Sequence, residues 1–151
     1  MECWFTDRTE TFGIVCRVTG ILHRERSPYQ EIVVYETDQF GRLLVLDDVV
    51  MTSEADEFVY HEMMAHVPLV THPSPRRVLV IGGGDGGVVR EALKHPAVEE
   101  VRLVEIDERV IEVCRRHLPG IASGFDDPRV RVTIGDGIEF VKRVRGEYDV
   151  I

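Results

Sequence analysis

Six residues, Gly82-Gly83-Gly84-Asp85-Gly86-Gly87, constrain this chain more than any other stretch. They sit between the apolar run RVLVI (77–81) and the helix-like VVREALKH (88–95). A glycine-rich turn that leaves a strand and opens a helix lets backbone approach a ligand closely. The spacing contains G-x-G-x-x-G, and Glu105 ends the next apolar strand about 20 residues on, where an acid binds ribose hydroxyls. The pattern predicts an adenosine-type ligand. The bland alternative is a glycine turn with a surface acid nearby.

Asp85 narrows the ligand. A pyrophosphate would use the N-terminus of the following helix, but this carboxylate stands beside that place. Two like charges ~4 Å apart cost about 4 kcal/mol at an effective dielectric near 20. That is around three decades of affinity. A ligand with positive charge gains from the same group. A sulfonium nucleoside fits better than NAD, and an amine tail without a carboxylate fits best.

From Arg77 onward the pattern alternates strand and helix: RVLVIG, GGVVREALKHP, EVRLVEID, ERVIEVCRRHLPG, RVRVTIGDG, IEFVKRVRG and a fourth strand beginning at YDVI (148–151). Apolar strands alternating with helices predict a parallel, doubly wound, Rossmann-like sheet. Such a sheet normally has five or more strands, so the chain is expected to be the N-terminal part of a longer protein, cut in its fourth strand. The first half reads differently. TFGIVCRVTGILHRE (11–25) and YQEIVVYETDQ (29–39) read as strands, and Phe40-Gly41 as a turn before RLLVLDD. Ser53-Glu54-Ala55-Asp56 resembles a capping box. The helix it opens, EFVYHEMMAHV, is expected to end near Pro68. The expected organisation is a small β domain over 1–52, a linking helix over 53–70, and the α/β domain over 71–151.

The charge balance disfavours nucleic acid. The net charge is −9, whereas phosphate contacts need basic residues. No run of 18 or more apolar residues offers a membrane span. MECWFTDRTE has no basic segment followed by an apolar one, so no secretory signal is read there. Cys3, Cys16 and Cys114 are odd in number and far apart, which fits reduced thiols in a cytoplasmic protein.

Two further groups carry chemistry. Asp136-Gly137 closes the third strand of the α/β half, where an aspartate can accept from an adenine amine or cap the next helix. His61-Glu62-Met63-Met64-Ala65-His66 looks briefly like a metal motif. Its histidines, five apart, lie ~140° apart around a helix, so they do not share an ion. Met63 and Met64 are expected in the core, and spacing alone makes Tyr60 and His61 packing residues.

Taken together, Tyr29-Gln30, LDDVVMTSEADEFVYHEMMAHVPL (46–69), VLVIGGGDGGVVREALKHP (78–96), VEID (104–107), DDPRV (126–130), GDG (135–137) and YDVI resemble the spermidine synthases, the polyamine aminopropyltransferases. The likeness runs from about Trp4 to Ile151. It implies a small β domain followed by a methyltransferase-like domain, in a homodimer or homotetramer. It also implies transfer of the aminopropyl group of decarboxylated S-adenosylmethionine to putrescine, giving spermidine and methylthioadenosine. No metal or cofactor is implied, since the nucleoside is a co-substrate. Gln30, Glu105 and Asp136-Gly137 match nucleoside positions, Glu105 for the ribose and Asp136 for the adenine amine. Asp85 and His61 match positions that hold an amine end, and Tyr60 matches a tyrosine near the attacking amine, an assistant to catalysis.

Two departures count. Asp47-Asp48 stands where the family more often has Asp-Gly. The family's catalytic segment, whose first aspartate is the expected general base, would follow Ile151. A diamine nitrogen has a pKa of ~10.4 and must lose a proton before it attacks, so residues 1–151 alone are expected to be inactive. Competing readings are a conventional S-adenosylmethionine-dependent methyltransferase and a truncated, non-catalytic paralogue.

Overall fold

The computed structural model describes residues 3–8, 11 and 13–151. The chain divides into two units, Met1–Glu57 and Phe58–Ile151. The division falls after the first residue of the helix Glu57–Thr71.

The first unit is an antiparallel meander, β1 (Cys3–Arg8), β2 (Gly13–Arg26), β3 (Glu31–Thr37), β4 (Gly41–Leu46) and β5 (Val49–Ser53), each paired with the next. Val33 pairs with Val45 and Tyr35 with Leu43. These four pack with Phe5, Cys16 and Val18 into a core on one face. Ile32, Val34 and Leu44 alternate to the other face and are buried too, at roughly 1.5–3 kcal/mol for each large apolar side chain removed from water. β1 and β5 were not expected from the sequence, because CWFTDR and VVMTS do not alternate cleanly. Phe12, within the first expected strand, lies outside the described residues.

Asp47 and Asp48 form the two-residue turn between β4 and β5, at φ 46° and 63°. Both are left-handed, as a type I′ turn requires. Asp47 is held there by β3: its Oδ1 accepts the Glu31 N–H at 2.8 Å, and its N–H donates to the Glu31 carbonyl at 3.0 Å.

The second unit has the expected alternation. α1 (Glu57–Thr71) is followed by β6 (Arg77–Ile81), α2 (Gly87–Leu93), β7 (Glu100–Glu105), α3 (Glu108–His117), a 3₁₀ turn (Ala122–Asp126), β8 (Val130–Ile134) and α4 (Gly137–Arg143). The three strands are parallel in the order β6-β7-β8. Val150 bridges Val78 in parallel on the free edge of β6. β6 therefore has later chain on both sides, β7 on one and the Val150 bridge on the other, and in such sheets the ligand crevice lies beyond the carboxyl ends of the strands at this point. Val78, Leu79, Val101, Leu103 and Val104 of the sheet are buried with Val89 and Ala92 of α2 and Val110, Val113 and Cys114 of α3.

α1 departs from expectation in three ways. The Ser53 hydroxyl does bond Asp56 Oδ1, at 2.5 Å, but the helix starts at Glu57. It continues past Pro68 to Thr71, so the lost N–H of the proline and its crowding of the Met64 carbonyl are absorbed within the last turn. The Thr71 hydroxyl donates to the Val67 carbonyl at 2.7 Å. Only His61, Ala65 and Leu69 are buried along it, while Tyr60, Met63 and Met64 are exposed. An apolar run at every helical position does not encode which face is covered, so the core placement of the two methionines was wrong. Among the described residues no helix is long and apolar enough to cross a membrane.

Candidate functional site at the carboxyl end of the parallel sheet

β6 ends at Ile81 and releases the glycine loop, which turns into α2. Gly86 adopts φ 88°, a left-handed conformation costing other residues ~1–2 kcal/mol. Gly87 is small for a different reason. A Cβ there would lie 2.2 Å from the His61 ring, so the start of α2 packs directly on the imidazole.

That contact positions Asp85. Its Oδ1 accepts the Gly87 N–H at 2.7 Å and lies 3.1 Å from His61 Nε2. His61 is 2% exposed. Burial alone would raise the Asp85 pKa. The His61 hydrogen bond and the Gly87 N–H outweigh it and hold the carboxyl below its ordinary value. Asp85 is therefore a fixed anion, and the first N–H of α2 is already taken by it. A phosphate arriving at this loop would meet a carboxylate in place of a free donor.

Glu105 ends β7 and is buried. Its two oxygens accept the Gly84 and Asp107 N–H groups, each at 3.0 Å. The residue expected to hold a ribose thus also ties the glycine loop to the start of α3. Each carboxylate oxygen retains a further lone pair. The Gly135 N–H donates to the Glu105 carbonyl at 2.9 Å, which brings the Asp136-Gly137 turn alongside. Asp136 caps α4, with Oδ1 accepting from Ile138 at 2.7 Å and Glu139 at 3.3 Å. Its side chain is exposed, and among the described residues both bonds it accepts fall on Oδ1.

The structure thus places Asp85, Glu105 and Asp136 at successive strand ends, with His61 beneath Asp85. Tyr60 is 61% exposed and meets the His61 ring edge-on, with centroids 5.6 Å apart. Gln30 belongs to the first unit, in the β2–β3 connection, where its N–H donates to Ser27 Oγ at 3.1 Å. His61 and His66 diverge: His61 faces Asp85, and His66 faces Glu91 and His95. Cys114, read from the sequence only as a reduced thiol, lies close to this site. It is fully buried in α3, and burial, followed by the charges of Asp85 and Glu105, pushes its thiol pKa up. No local pattern marks it. Its heptad-like place on the buried stripe of α3 was the only available signal.

Two family descriptions match this arrangement. "Spermine/spermidine synthase domain" covers residues 57–151, and "Spermidine synthase tetramerisation domain" covers residues 3–54. The chain belongs to the spermine/spermidine synthase family. Relatives in this family include the polyamine aminopropyltransferase of Bacillus mycoides (strain KBAB4), 55% identical over 152 residues that cover all of this chain and 55% of the relative. That of Bacillus subtilis (strain 168) is 54% identical over 151 residues, 99% of this chain and 55% of the relative. The crystal structure of spermidine synthase from Thermotoga maritima matches with a TM-score of 0.96 at 41% identity, over 98% of this chain and 53% of that one. A spermidine synthase in complex with the transition state analogue AdoDATO matches equally, with a TM-score of 0.96 at 41% identity. The chain spans about half the length of these relatives.

Proposed function

We propose that this chain supplies the nucleoside- and amine-binding part of a polyamine aminopropyltransferase that uses decarboxylated S-adenosylmethionine and putrescine. One observation carries the reading: Asp85, a partly buried anion fixed by His61 and the Gly87 N–H, stands beyond the carboxyl end of β6. In this reading it faces the ammonium end of an aminopropyl tail, and His61 holds it there. Glu105 accepts from the ribose hydroxyls through its remaining lone pairs, and Oδ2 of Asp136 accepts from the adenine amine. Tyr60 stands beside the attacking amine.

The chemistry is a displacement. A neutral amine nitrogen forms a bond to the aminopropyl carbon next to sulfur. The carbon–sulfur bond breaks with its electron pair going to sulfur, which leaves as methylthioadenosine. The neutral nucleophile arises because a carboxylate base takes one proton from the diamine ammonium before attack, and the product nitrogen keeps its positive charge as a secondary ammonium. Among the described residues none is assigned the role of that base. Matching of residues 3–54 to a tetramerisation domain supports a homo-oligomer.

Calorimetric titration with methylthioadenosine tests the site. Saturable binding that weakens by ~1–3 kcal/mol on Glu105→Gln, the range for hydrogen bonds to a charged group, is expected. Absence of binding to a folded protein would sink the reading.

A further inference from the structure

One cluster lies outside this crevice. Glu62 and His66 stand one turn apart on α1, while Glu91 lies on α2 and His95 one turn further along the chain. A carboxylate oxygen of Glu62, a ring nitrogen of His66 and a carboxylate oxygen of Glu91 all lie within 4.8 Å of one another. His66 Nε2 and Glu91 Oε2 are 3.1 Å apart. Two ligands of a tetrahedral zinc ion with bonds of ~2.0–2.1 Å are separated by about 3.3 Å, so this pair already has ligand spacing. The other His66 nitrogen, Nδ1, lies 2.8 Å from His95 Nε2. A metal-bound imidazole usually donates its second N–H to such an acceptor, which fixes the ring.

Glu91 is the anomalous member. Its side chain is fully buried, and Arg90 occupies Oε1 through contacts of 2.9 Å and 2.8 Å. Oε2 has Lys94 Nζ at 2.6 Å and His66 Nε2 at 3.1 Å, yet neither contact has hydrogen-bond alignment. The lysine side chain is 55% exposed and can swing into water. The oxygen then keeps a charge with one direction left open, toward His66 and Glu62.

We infer that Glu62, His66 and Glu91 form a binding site for a divalent first-row transition cation, with His95 orienting His66. One imidazole and two carboxylates suit zinc, cobalt or nickel far better than magnesium. The ion joins α1 to α2. These two elements also carry His61 and follow Asp85, so the site is a clip on the scaffold of the crevice and takes no part in its chemistry. The ion takes the place of the Lys94 ammonium.

The probe is Zn²⁺, titrated calorimetrically into chelator-treated protein, with Mg²⁺ as control. One equivalent of Zn²⁺ is expected to bind and to raise Tm, as any ligand of the native state does. Glu62→Gln changes an exposed side chain and leaves the fold intact. It should weaken binding at least about tenfold, as should His66→Gln and the orienting change His95→Gln. Lys94→Ala should tighten binding, because it removes the competing cation. The inference fails if no single saturable equivalent binds. It also fails if Glu62→Gln and Lys94→Ala both leave the affinity unchanged, or if Cys3→Ser abolishes binding, which would place the ion at the exposed thiol.

Discussion

Gly87 and His61 are two halves of one packing decision. The absent side chain of the glycine is the space in which the imidazole sits. Gly87→Ala should destabilise the protein by about 1–3 kcal/mol, as overpacking of a core does. In a His61→Ala background the same change should cost much less, and a double-mutant cycle by urea denaturation measures the coupling. Additive effects would mean that the loop relaxes away from the ring. Asp85 predicts a pH dependence from the same contact. Its folded pKa is depressed, so its contribution to stability is complete above the ordinary aspartate value of ~3.9 and is lost as pH falls through the lower folded value. Urea midpoints of Asp85→Asn should therefore fall less steeply than those of the parent below about pH 4. A parallel slope would show that Asp85 is not held as an anion. The thiols give a simpler check. Cys3 is exposed while Cys16 and Cys114 are buried with raised pKa values. A thiol reagent should label Cys3 rapidly and the other two only after unfolding.

At the scale of elements, the β4–β5 turn holds two aspartates in left-handed backbone. Asp47 earns its place by clasping Glu31, but no described hydrogen bond ties down the Asp48 side chain. Asp48→Gly should stabilise by about 0.5–1 kcal/mol, the left-handed strain relieved less the added freedom of the unfolded chain. A lower Tm would show a role for Asp48 beyond the turn. The parallel strands and their helices were legible because apolar runs of five or six residues alternate with capped helical segments. Asp136 marks one of those caps openly, while the Asp107 cap of α3 comes from the structure. β1 and β5 were not legible, since an edge strand such as CWFTDR mixes exposed apolar and polar positions. The outward methionines of α1 were not legible either, because an apolar helix carries no record of which side is covered. Of the site, Asp85, Glu105 and Asp136 could be read as acids at strand ends. That His61 reaches Asp85 across 24 positions of sequence, and that Glu105 spends both oxygens on backbone, only the folded chain reveals. Glu105→Gln should accordingly lower stability along with nucleoside affinity.

For the whole molecule, the antiparallel unit and the parallel unit each match a family description, and the second bears three acids along one sheet edge. A net charge of −9 and a fixed anion in the glycine loop both favour a cationic nucleoside over a phosphorylated one. The central claim is that Asp85 selects the ligand tail by charge. It is tested most directly by calorimetric titration of the protein with decarboxylated S-adenosylmethionine and with S-adenosylmethionine, repeated on Asp85→Asn. The decarboxylated compound should bind more tightly, and the substitution should narrow the gap by about 1–3 kcal/mol, the Coulomb figure reduced for solvent screening. Equal affinity for the two sulfonium compounds in the unsubstituted protein would contradict the account.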